Sequence, residues 1–122
     1  MNQLATVLNI SANDPLGLAG IHADIRAMQS MNVHCASVIT ATTAQNQQKF
    51  VALNGVSTDA FISQLDALAQ QDIFNVVKMG LIANKQQAKI LDSHGLLKNK
   101  TWVIDPVLAA SAGNISQTQE RI

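Results

Sequence analysis

The sequence has few charged residues and no excess of either sign. Its 122 residues include eight basic and eight acidic side chains, and charged residues make up only 13% of the chain. A balanced charge gives no long-range attraction to a polyanion, so a nucleic-acid partner is not expected. Because 48% of the residues are hydrophobic, the composition indicates one globular domain with its own core.

Cysteine and long hydrophobic runs are also scarce. Cys35 is the single cysteine, which excludes an internal disulfide. Its largely apolar neighbourhood, Val33 to Ile39, predicts a buried thiol that packs as a small hydrophobic side chain. The longest apolar runs have the length of a strand, and the N-terminus lacks the pattern of a signal peptide. We therefore expect a cytoplasmic protein that does not bind a membrane.

Several motifs of metal, nucleotide and hydrolase sites are absent. His22, His34 and His94 fall in different predicted elements and lack the spacing of a zinc site. The chain contains neither the G-x-x-x-x-G-K-[ST] loop of P-loop sites nor the G-x-S-x-G elbow of hydrolases. The dinucleotide-binding fingerprint fails too, because Pro15 stands where its first glycine would be.

What the sequence does contain is an alternation of strand-like and helix-like segments. Runs of apolar and β-branched residues predict strands at 4–10, 33–40, 50–56, 72–78 and 101–104. Helical spacing of apolar residues predicts helices at 20–31, after a cap among residues 57–59, and at 84–93 with Gly95 as a C-terminal cap. Residues 42–49 are expected to form a loop. This order predicts a layered α/β fold, with a mainly parallel sheet and flanking helices.

Unusual loops follow four of the predicted strands. The first contains Asp14-Pro15, Gly17 and Gly20, a combination typical of a sharp turn before a helix, and the others lie at 42–47, 78–84 and 105–113. Ligands of parallel α/β sheets bind at the carboxyl ends of the strands. The four loops therefore predict a binding cleft, in which the N-H groups at the start of the first helix favour a polar or anionic group. A tight turn without a ligand is the alternative for the first loop.

Three polar residues near these loops could contact a ligand, and each has a structural alternative. Asp24 could bind a ligand or only interact favourably with the N-terminus of the first helix. Gln45 could donate to and accept from a heterocyclic ring, or be solvated. Asp105, which follows a buried strand and precedes Pro106, could hold hydrated magnesium or contact phosphate through it, or form an Asx-type turn.

Taken together, the four loops match the motifs of one enzyme family. They read S-A-N-D-P-L-G-L-A-G-I-H-A-D, S-V-I-T-A-T-T-A-Q-N, V-K-M-G-L-I and D-P-V-L. They resemble A-G-S-D-P-S-G-G-A-G-I-Q-A-D, S-V-I-T-A-x-T-A-Q-N, V-K-x-G-M-L and D-P-V-M of the hydroxymethylpyrimidine/phosphomethylpyrimidine kinases. These kinases serve thiamin biosynthesis and belong to the ribokinase-like superfamily. Pyridoxal kinases of the same superfamily share parts of the pattern and are the nearest alternative.

The resemblance implies transfer of the ATP γ-phosphate, with Mg²⁺, to the hydroxymethyl group of 4-amino-5-hydroxymethyl-2-methylpyrimidine. A second phosphorylation of the monophosphate would follow. By matched position, the residues that would line the pyrimidine site are Ala12, Asp24, Gln45, Leu81 and Val107. Gln45 would bond the ring, and Asp105 would lie near the phosphate and Mg²⁺ without a direct protein cage for the metal. Two departures add bulk, because Ala12 and Leu18 stand where the family has glycine.

One family motif has no counterpart in these 122 residues. It is the G-T-G-C or G-A-G-D type motif, whose amides stabilise phosphoryl charge and whose polar residue is the base. The resemblance therefore implies a single partial domain, 1–122, with a polar tail at 111–122, most of the ATP site absent and no catalytic residue. We expect a chain that is inactive alone and that self-associates or pairs with a complementary second half. An inactive remnant, a small-molecule-binding α/β module and a pyridoxal-kinase-like protein are the alternatives.

Overall fold

A computed structural model of the chain describes residues 5–106, 109–110 and 113–114. The predicted alternation of strands and helices is confirmed within these residues. The elements are β1 (Ala5–Ser11), α1 (Gly20–Ser30), β2 (Val33–Ile39), β3 (Ala41–Gln45), β4 (Phe50–Gly55), α2 (Thr58–Ala69), β5 (Val76–Met79), α3 (Lys85–Ser93), a 3₁₀ turn (Gly95–Leu97), β6 (Thr101–Ile104), β7 (Ala109–Ala110) and β8 (Gly113–Asn114).

A four-stranded sheet forms the centre of the fold. Its strand order is β2-β1-β5-β6, and each neighbouring pair is parallel. The register places Asn9 of β1 beside Ser37 of β2 and Lys78 of β5. Since parallel strands end at the same edge, the loops after these strands lie side by side. The expected mainly parallel sheet with flanking helices is therefore confirmed.

The two faces of this sheet differ in chemistry because neighbouring residues of a strand point to opposite sides. One face packs against α2, α3 and the 3₁₀ turn and forms the hydrophobic core. The buried residues of this core are Leu8, Ile10, Val38, Phe61, Leu65, Phe74, Val77, Ile82, Leu91, Leu96 and Leu97. Full burial of one such side chain is worth about 1.5–3 kcal/mol, so this face supplies most of the hydrophobic stabilisation.

Helix α1 covers the opposite face, and its contacts are less apolar than the sequence suggested. Of the apolar residues at helical spacing, Ile21 is buried, Ile25 and Met28 are half-buried, and Met31 is 75% exposed. The helix ends at Ser30, one residue before the expected end, and Met31 is its C-cap. The sheet residues on this side include polar ones, and Asn9 and Lys78 donate hydrogen bonds to Asp24 of α1.

The segment predicted as a loop at 42–49 is largely a β-hairpin. Residues Ala41 to Gln45 form β3, which pairs antiparallel with β4 in a separate two-stranded sheet. Ala41 and Thr43 are buried while Thr42 and Ala44 are exposed, which is the alternation of a half-buried strand. The loop prediction was wrong because small and polar residues hid this alternation, and pairing with β4 provides the missing hydrogen bonds.

Three smaller expectations also change. The strand predicted from Asp72 begins only at Val76. Gly95 is not a left-handed cap, since α3 ends at Ser93 with His94 as its extended C-cap, and Gly95 begins the 3₁₀ turn. Gly113–Asn114 lies within the expected polar tail but pairs with Ala109–Ala110 as a short antiparallel ladder. The rest of the tail lies outside the described residues.

The two edges of the parallel sheet differ in how well other residues cover them. At the β2 edge, the side-chain amide of Gln64 on α2 accepts from the Ile39 N-H at 2.8 Å and donates to the Ile39 carbonyl at 2.9 Å. At the β6 edge, Val103 is 54% and Ile104 58% exposed. Consecutive residues of a strand point to opposite faces, so both faces at the end of β6 are uncovered within the described part of the chain.

Gly20 is predicted to be indispensable for the turn into α1. Its φ is +59°, and a Cβ at this position would lie 2.3 Å from the carbonyl oxygen of Ala12. Gly20→Ala should therefore lower the free energy of unfolding by at least about 2 kcal/mol, through backbone strain and the forced movement of the β1–α1 loop. Urea denaturation measures this loss.

Gly95→Ala is the matched control, because a Cβ there meets nothing within 4 Å and its φ is not positive. Its stability should stay within about 0.5 kcal/mol of the parent. Equal losses in the two variants would contradict the role assigned to the turn.

Candidate functional site

Thr40 joins the loops at the carboxyl edge of the sheet. It is fully buried between β2 and β3. Its backbone N-H donates to the Ser11 carbonyl at 2.9 Å, and its hydroxyl donates to the Leu81 carbonyl at 2.8 Å. Its own carbonyl accepts from the Val56 N-H and from the Gln87 side-chain amide, both at 2.9 Å. These bonds connect the ends of β1, β4 and β5 with helix α3 through one residue.

The loop after β1 is organised by the carboxylate of Asp14, which is only 6% exposed. Its Oδ1 accepts from the Leu16 N-H at 3.1 Å, and its Oδ2 accepts from the N-H groups of Leu18 at 2.9 Å and Ala19 at 3.1 Å. The amide of Gly17, whose φ is +73°, donates to the Asp14 carbonyl. Sequence reasoning took Asp14 only as part of a bend. These loop amides hold a carboxylate of the chain itself, so the expected anion-binding start of α1 is in part satisfied internally.

A chain of hydrogen bonds connects this loop to Gln45. Asn13 accepts from Thr43 twice, with its side-chain oxygen from the Thr43 N-H at 3.2 Å and with its carbonyl from the Thr43 hydroxyl at 2.7 Å. The side-chain amide of Gln45 then donates to the Thr43 hydroxyl at 2.9 Å. Gln45 is half-buried and lies at an irregularity of the β3–β4 ladder, between Ala44 and Gln45. The Gln45 side-chain amide is therefore held in one position at the carboxyl edge of the sheet, between two loops.

Ala12 and Leu81 come together beneath the hairpin. They are 5% and 6% exposed and belong to one small apolar cluster with Ala41 and Ala83. Ala12 follows β1 and Leu81 follows β5, so this cluster brings the two loops into contact. Their lining of a pyrimidine site, which the resemblance implies, stays a prediction.

Asp24 is not a partner of the helix N-terminus, the alternative that the sequence left open. Its Oδ2 accepts from the Asn9 side-chain amide at 3.0 Å and from the Lys78 ammonium at 2.8 Å. The Lys78 and Asp24 side chains are 16% and 21% exposed, so this ion pair is partly shielded from water. Sequence reasoning missed Asn9 and Lys78. The available signal was a polar residue that interrupts an apolar strand and a lysine at the end of another strand.

Asp105 lies at the carboxyl end of β6. Its backbone N-H donates to the Met79 carbonyl at 2.9 Å, which continues the β5–β6 ladder, and its side chain is exposed. An exposed carboxylate at this edge can reach a hydrated cation. Val107, the remaining residue implied for the pyrimidine site, lies outside the described residues.

Cys35 lies on β2 near the Asp24–Lys78 pair. Its thiol is half-buried, less than predicted, and is 3.7 Å from both the Ser37 hydroxyl and the Ala36 carbonyl oxygen. Burial raises the pKa of the Cys35 thiol above its ordinary value of 9.0; the Ser37 hydrogen bond opposes this rise, Asp24 adds to it and Lys78 opposes it. The thiol is therefore protonated at neutral pH, which does not suit a nucleophile.

Within residues 5–106, 109–110 and 113–114, no three His, Cys, Asp or Glu side chains are grouped closely enough to hold a metal ion. The helices of the same part of the chain are too short or too polar to cross a bilayer. The cytoplasmic location expected from the sequence stays a prediction.

Solved structures with the same arrangement define the class of this fold. A phosphomethylpyrimidine kinase from Clostridium difficile superposes with a TM-score of 0.79 at 28% identity, over 89% of this chain and 48% of that one. The pyridoxal kinase of Staphylococcus aureus in complex with AMP-PCP gives a TM-score of 0.76 at 19% identity, over 92% of this chain and 41% of that one. The fold is that of the ribokinase-like kinases.

The family follows from the sequence comparisons. The chain belongs to the phosphomethylpyrimidine kinase family, whose model matches residues 14–122. A hydroxymethylpyrimidine/phosphomethylpyrimidine kinase of Rhizobium meliloti is 38% identical over 90% of this chain and 41% of its own length. The corresponding kinase of Bacillus subtilis is 34% identical over 87% of this chain and 40% of its own. The chain thus spans about two fifths of the length of these curated relatives.

Asp14 is predicted to determine the stability of the first loop. Asp14→Ala removes the acceptor of three backbone N-H groups. It should lower the free energy of unfolding by roughly 2–4 kcal/mol, because three backbone N-H groups of the loop lose their charged acceptor. Asp92→Ala, at an exposed position of α3, should change it by less than about 0.5 kcal/mol. Urea denaturation measures the free energy of unfolding of both variants. If Asp14→Ala loses no more stability than Asp92→Ala, the Asp14 carboxylate does not hold the loop.

Proposed function

We propose that this chain forms the pyrimidine-binding part of a hydroxymethylpyrimidine/phosphomethylpyrimidine kinase. The observation that carries the proposal is the hydrogen-bonded chain from Asn13 through Thr43 to Gln45, which fixes a side-chain amide at the carboxyl edge of the sheet. Membership of the family supports the same substrate class.

The chemistry of a primary amide suits an aminopyrimidine. One N-H of Gln45 is used by the Thr43 hydroxyl. No hydrogen bond among the described residues engages its second N-H or its carbonyl oxygen, so both can bond a ligand. An aminopyrimidine has an amino donor beside a ring-nitrogen acceptor, which is the complementary pair. Gln45 would therefore read the amino edge of the ring with two hydrogen bonds.

The other implied residues would enclose the ring and hold its polar substituent. Ala12 and Leu81, which share one apolar cluster, would provide apolar contact, with Val107 as a third wall. Asp24, whose carboxylate is 21% exposed, would accept a hydrogen bond from an amino or hydroxyl group. These roles rest on matched family positions, and the burial of Ala12 and Leu81 is compatible with them.

ATP, when bound, would supply the phosphoryl group that is transferred to the hydroxymethyl oxygen. Among the described residues, Asp105 is the carboxylate placed at the sheet edge to contact hydrated Mg²⁺. A single exposed carboxylate fits contact through water better than a protein cage. The residues of this chain would thus bind and orient the pyrimidine, and the rest of the ATP site would come from elsewhere.

Pyridoxal is the alternative substrate. Pyridoxal kinases share the fold, but the Staphylococcus aureus enzyme is only 19% identical to this chain. The curated relatives at 38% and 34% identity are hydroxymethylpyrimidine/phosphomethylpyrimidine kinases, which favours the pyrimidine. Competition between the two compounds for the purified chain tests this choice.

A binding module without kinase activity is the second candidate. Such a module would bind the pyrimidine without turnover.

Gln45→Ala should weaken binding of hydroxymethylpyrimidine by roughly 1–3 kcal/mol, since it removes hydrogen bonds that become buried with the ligand. Isothermal titration calorimetry measures the change. Gln47→Ala is the matched control, because Gln47 is an exposed glutamine in the turn of the same hairpin, and its affinity should equal that of the parent. Equal affinity in the parent and the Gln45 variant would remove Gln45 from the site.

The chain alone should not turn over ATP at a rate typical of a complete kinase, and it should self-associate. Phosphoryl transfer depends on positioned groups that stabilise charge, and the exposed Val103 and Ile104 leave the β6 edge uncovered. Supplying the remaining part of the Rhizobium meliloti kinase as a second polypeptide should restore activity and suppress association together. Coupled ADP release and light scattering measure the two effects. A monomer with full kinase activity on its own would refute this prediction.

A further inference from the structure

Asn9 is a polar residue at the centre of the parallel sheet. It lies on β1, which has a paired strand on each side, and it is 0% exposed. Its neighbours across the two ladders are Ser37 and Lys78, so these three side chains leave the sheet on the same face, under α1. An apolar residue is the usual occupant of such a position, so the presence of an amide calls for a physical reason.

Fold stability does not supply that reason. The side-chain oxygen of Asn9 is buried and makes no hydrogen bond within the described residues. A buried acceptor without a partner destabilises the folded state. Rotating the amide would not help, because its oxygen would then face the Asp24 carboxylate, another acceptor. Asn9 is therefore a residue whose apolar substitute would suit the fold better.

The Asn9 side-chain amide donates one hydrogen bond, from Nδ2 to Asp24 Oδ2 at 3.0 Å. The Lys78 ammonium donates to the same oxygen at 2.8 Å. Gly80 keeps space for that ammonium, since a Cβ there would lie 3.2 Å from Lys78 Nζ and 2.6 Å from the Ser11 hydroxyl oxygen. Two donors from neighbouring strands thus converge on a single carboxylate oxygen of α1.

This convergence fixes how the Asp24 carboxylate is turned. With Oδ2 occupied by both donors, no hydrogen bond of the described residues engages Oδ1. A carboxylate held by donors from two strands keeps its remaining lone pairs in one direction. Less side-chain conformational entropy is then lost when a ligand binds. The free oxygen is suited to an amino or hydroxyl donor of a small ligand.

We propose that Asn9 and Lys78 are positioning residues, which hold Asp24 so that Oδ1 accepts a hydrogen bond from the bound aminopyrimidine. The identity of the ligand rests on the proposed function, whereas the orientation of the carboxylate does not. Asn9 is kept at some cost to stability because its amide orients a binding group.

The test separates stability from binding in the full chain. Asn9→Leu replaces the amide by an apolar group of similar size and removes the donor and the unpaired acceptor together. Its thermal midpoint should equal or exceed that of the parent, while its affinity for hydroxymethylpyrimidine falls about tenfold, the loss expected for a hydrogen bond to a charged group. Differential scanning calorimetry and titration calorimetry measure the two quantities. A lower midpoint with unchanged affinity would overturn the proposal, since it would mean that Asn9 serves the fold.

Three further variants complete the comparison. Asn75→Leu is the matched control, because Asn75 is exposed and precedes β5 at the opposite end of the sheet, and its affinity should not change. Lys78→Met should lose affinity, and Lys78→Arg should recover part of it by restoring a cation. Equal affinities of the Met and Arg variants would exclude a positioning role for the ammonium.

A ligand-free measurement keeps this inference separate from the proposed function. In a crystal structure of the Asn9→Leu/Lys78→Met double variant, the Asp24 carboxylate should leave the orientation seen in the parent. An unchanged single orientation would overturn the positioning role. Absence of pyrimidine binding by the parent would instead refute the proposed function, and the crystal structure would still decide the orientation.

Discussion

The hydrogen bonds of Thr40 are the constraint on which the carboxyl edge of the sheet depends. A buried backbone or hydroxyl group must find a partner, and Thr40 finds its partners in the strand ends β1 and β4, the loop after β5 and helix α3. Movement of one of these loops would break a buried hydrogen bond in another. Three loops from distant parts of the sequence therefore keep one relative geometry.

The sheet divides stability and chemistry between its two faces. The face toward α2 and α3 is apolar and carries the core. The face toward α1 carries Asn9, Lys78 and Cys35, and Asn9 and Lys78 donate hydrogen bonds to Asp24 of α1. The core can hold the strands rigid while polar residues occupy the other side. The same fold is found in a pyridoxal kinase, so the architecture by itself does not determine the ligand.

Much of the fold and part of the site could be predicted from local sequence. The parallel sheet, the glycine-dependent turn at Gly17 and Gly20, and helices α2 and α3 follow from periodicity, caps and backbone angles, which act over a few residues. The Ser57 and Asn84 caps accept hydrogen bonds from residues three positions on, within reach of a local pattern.

The sequence by itself determined the class of fold and the turn that leads into α1, because strand, helix and turn patterns act over short distances. Only the tertiary structure decided that 41–45 is a strand, because a segment of small and polar residues becomes one when β4 pairs with it. Only the tertiary structure joined Asp24 to Asn9 and Lys78, which are 15 and 54 residues away. No local pattern encodes such a pairing, since it depends on strand order and register, and these are set by the packing of the whole sheet.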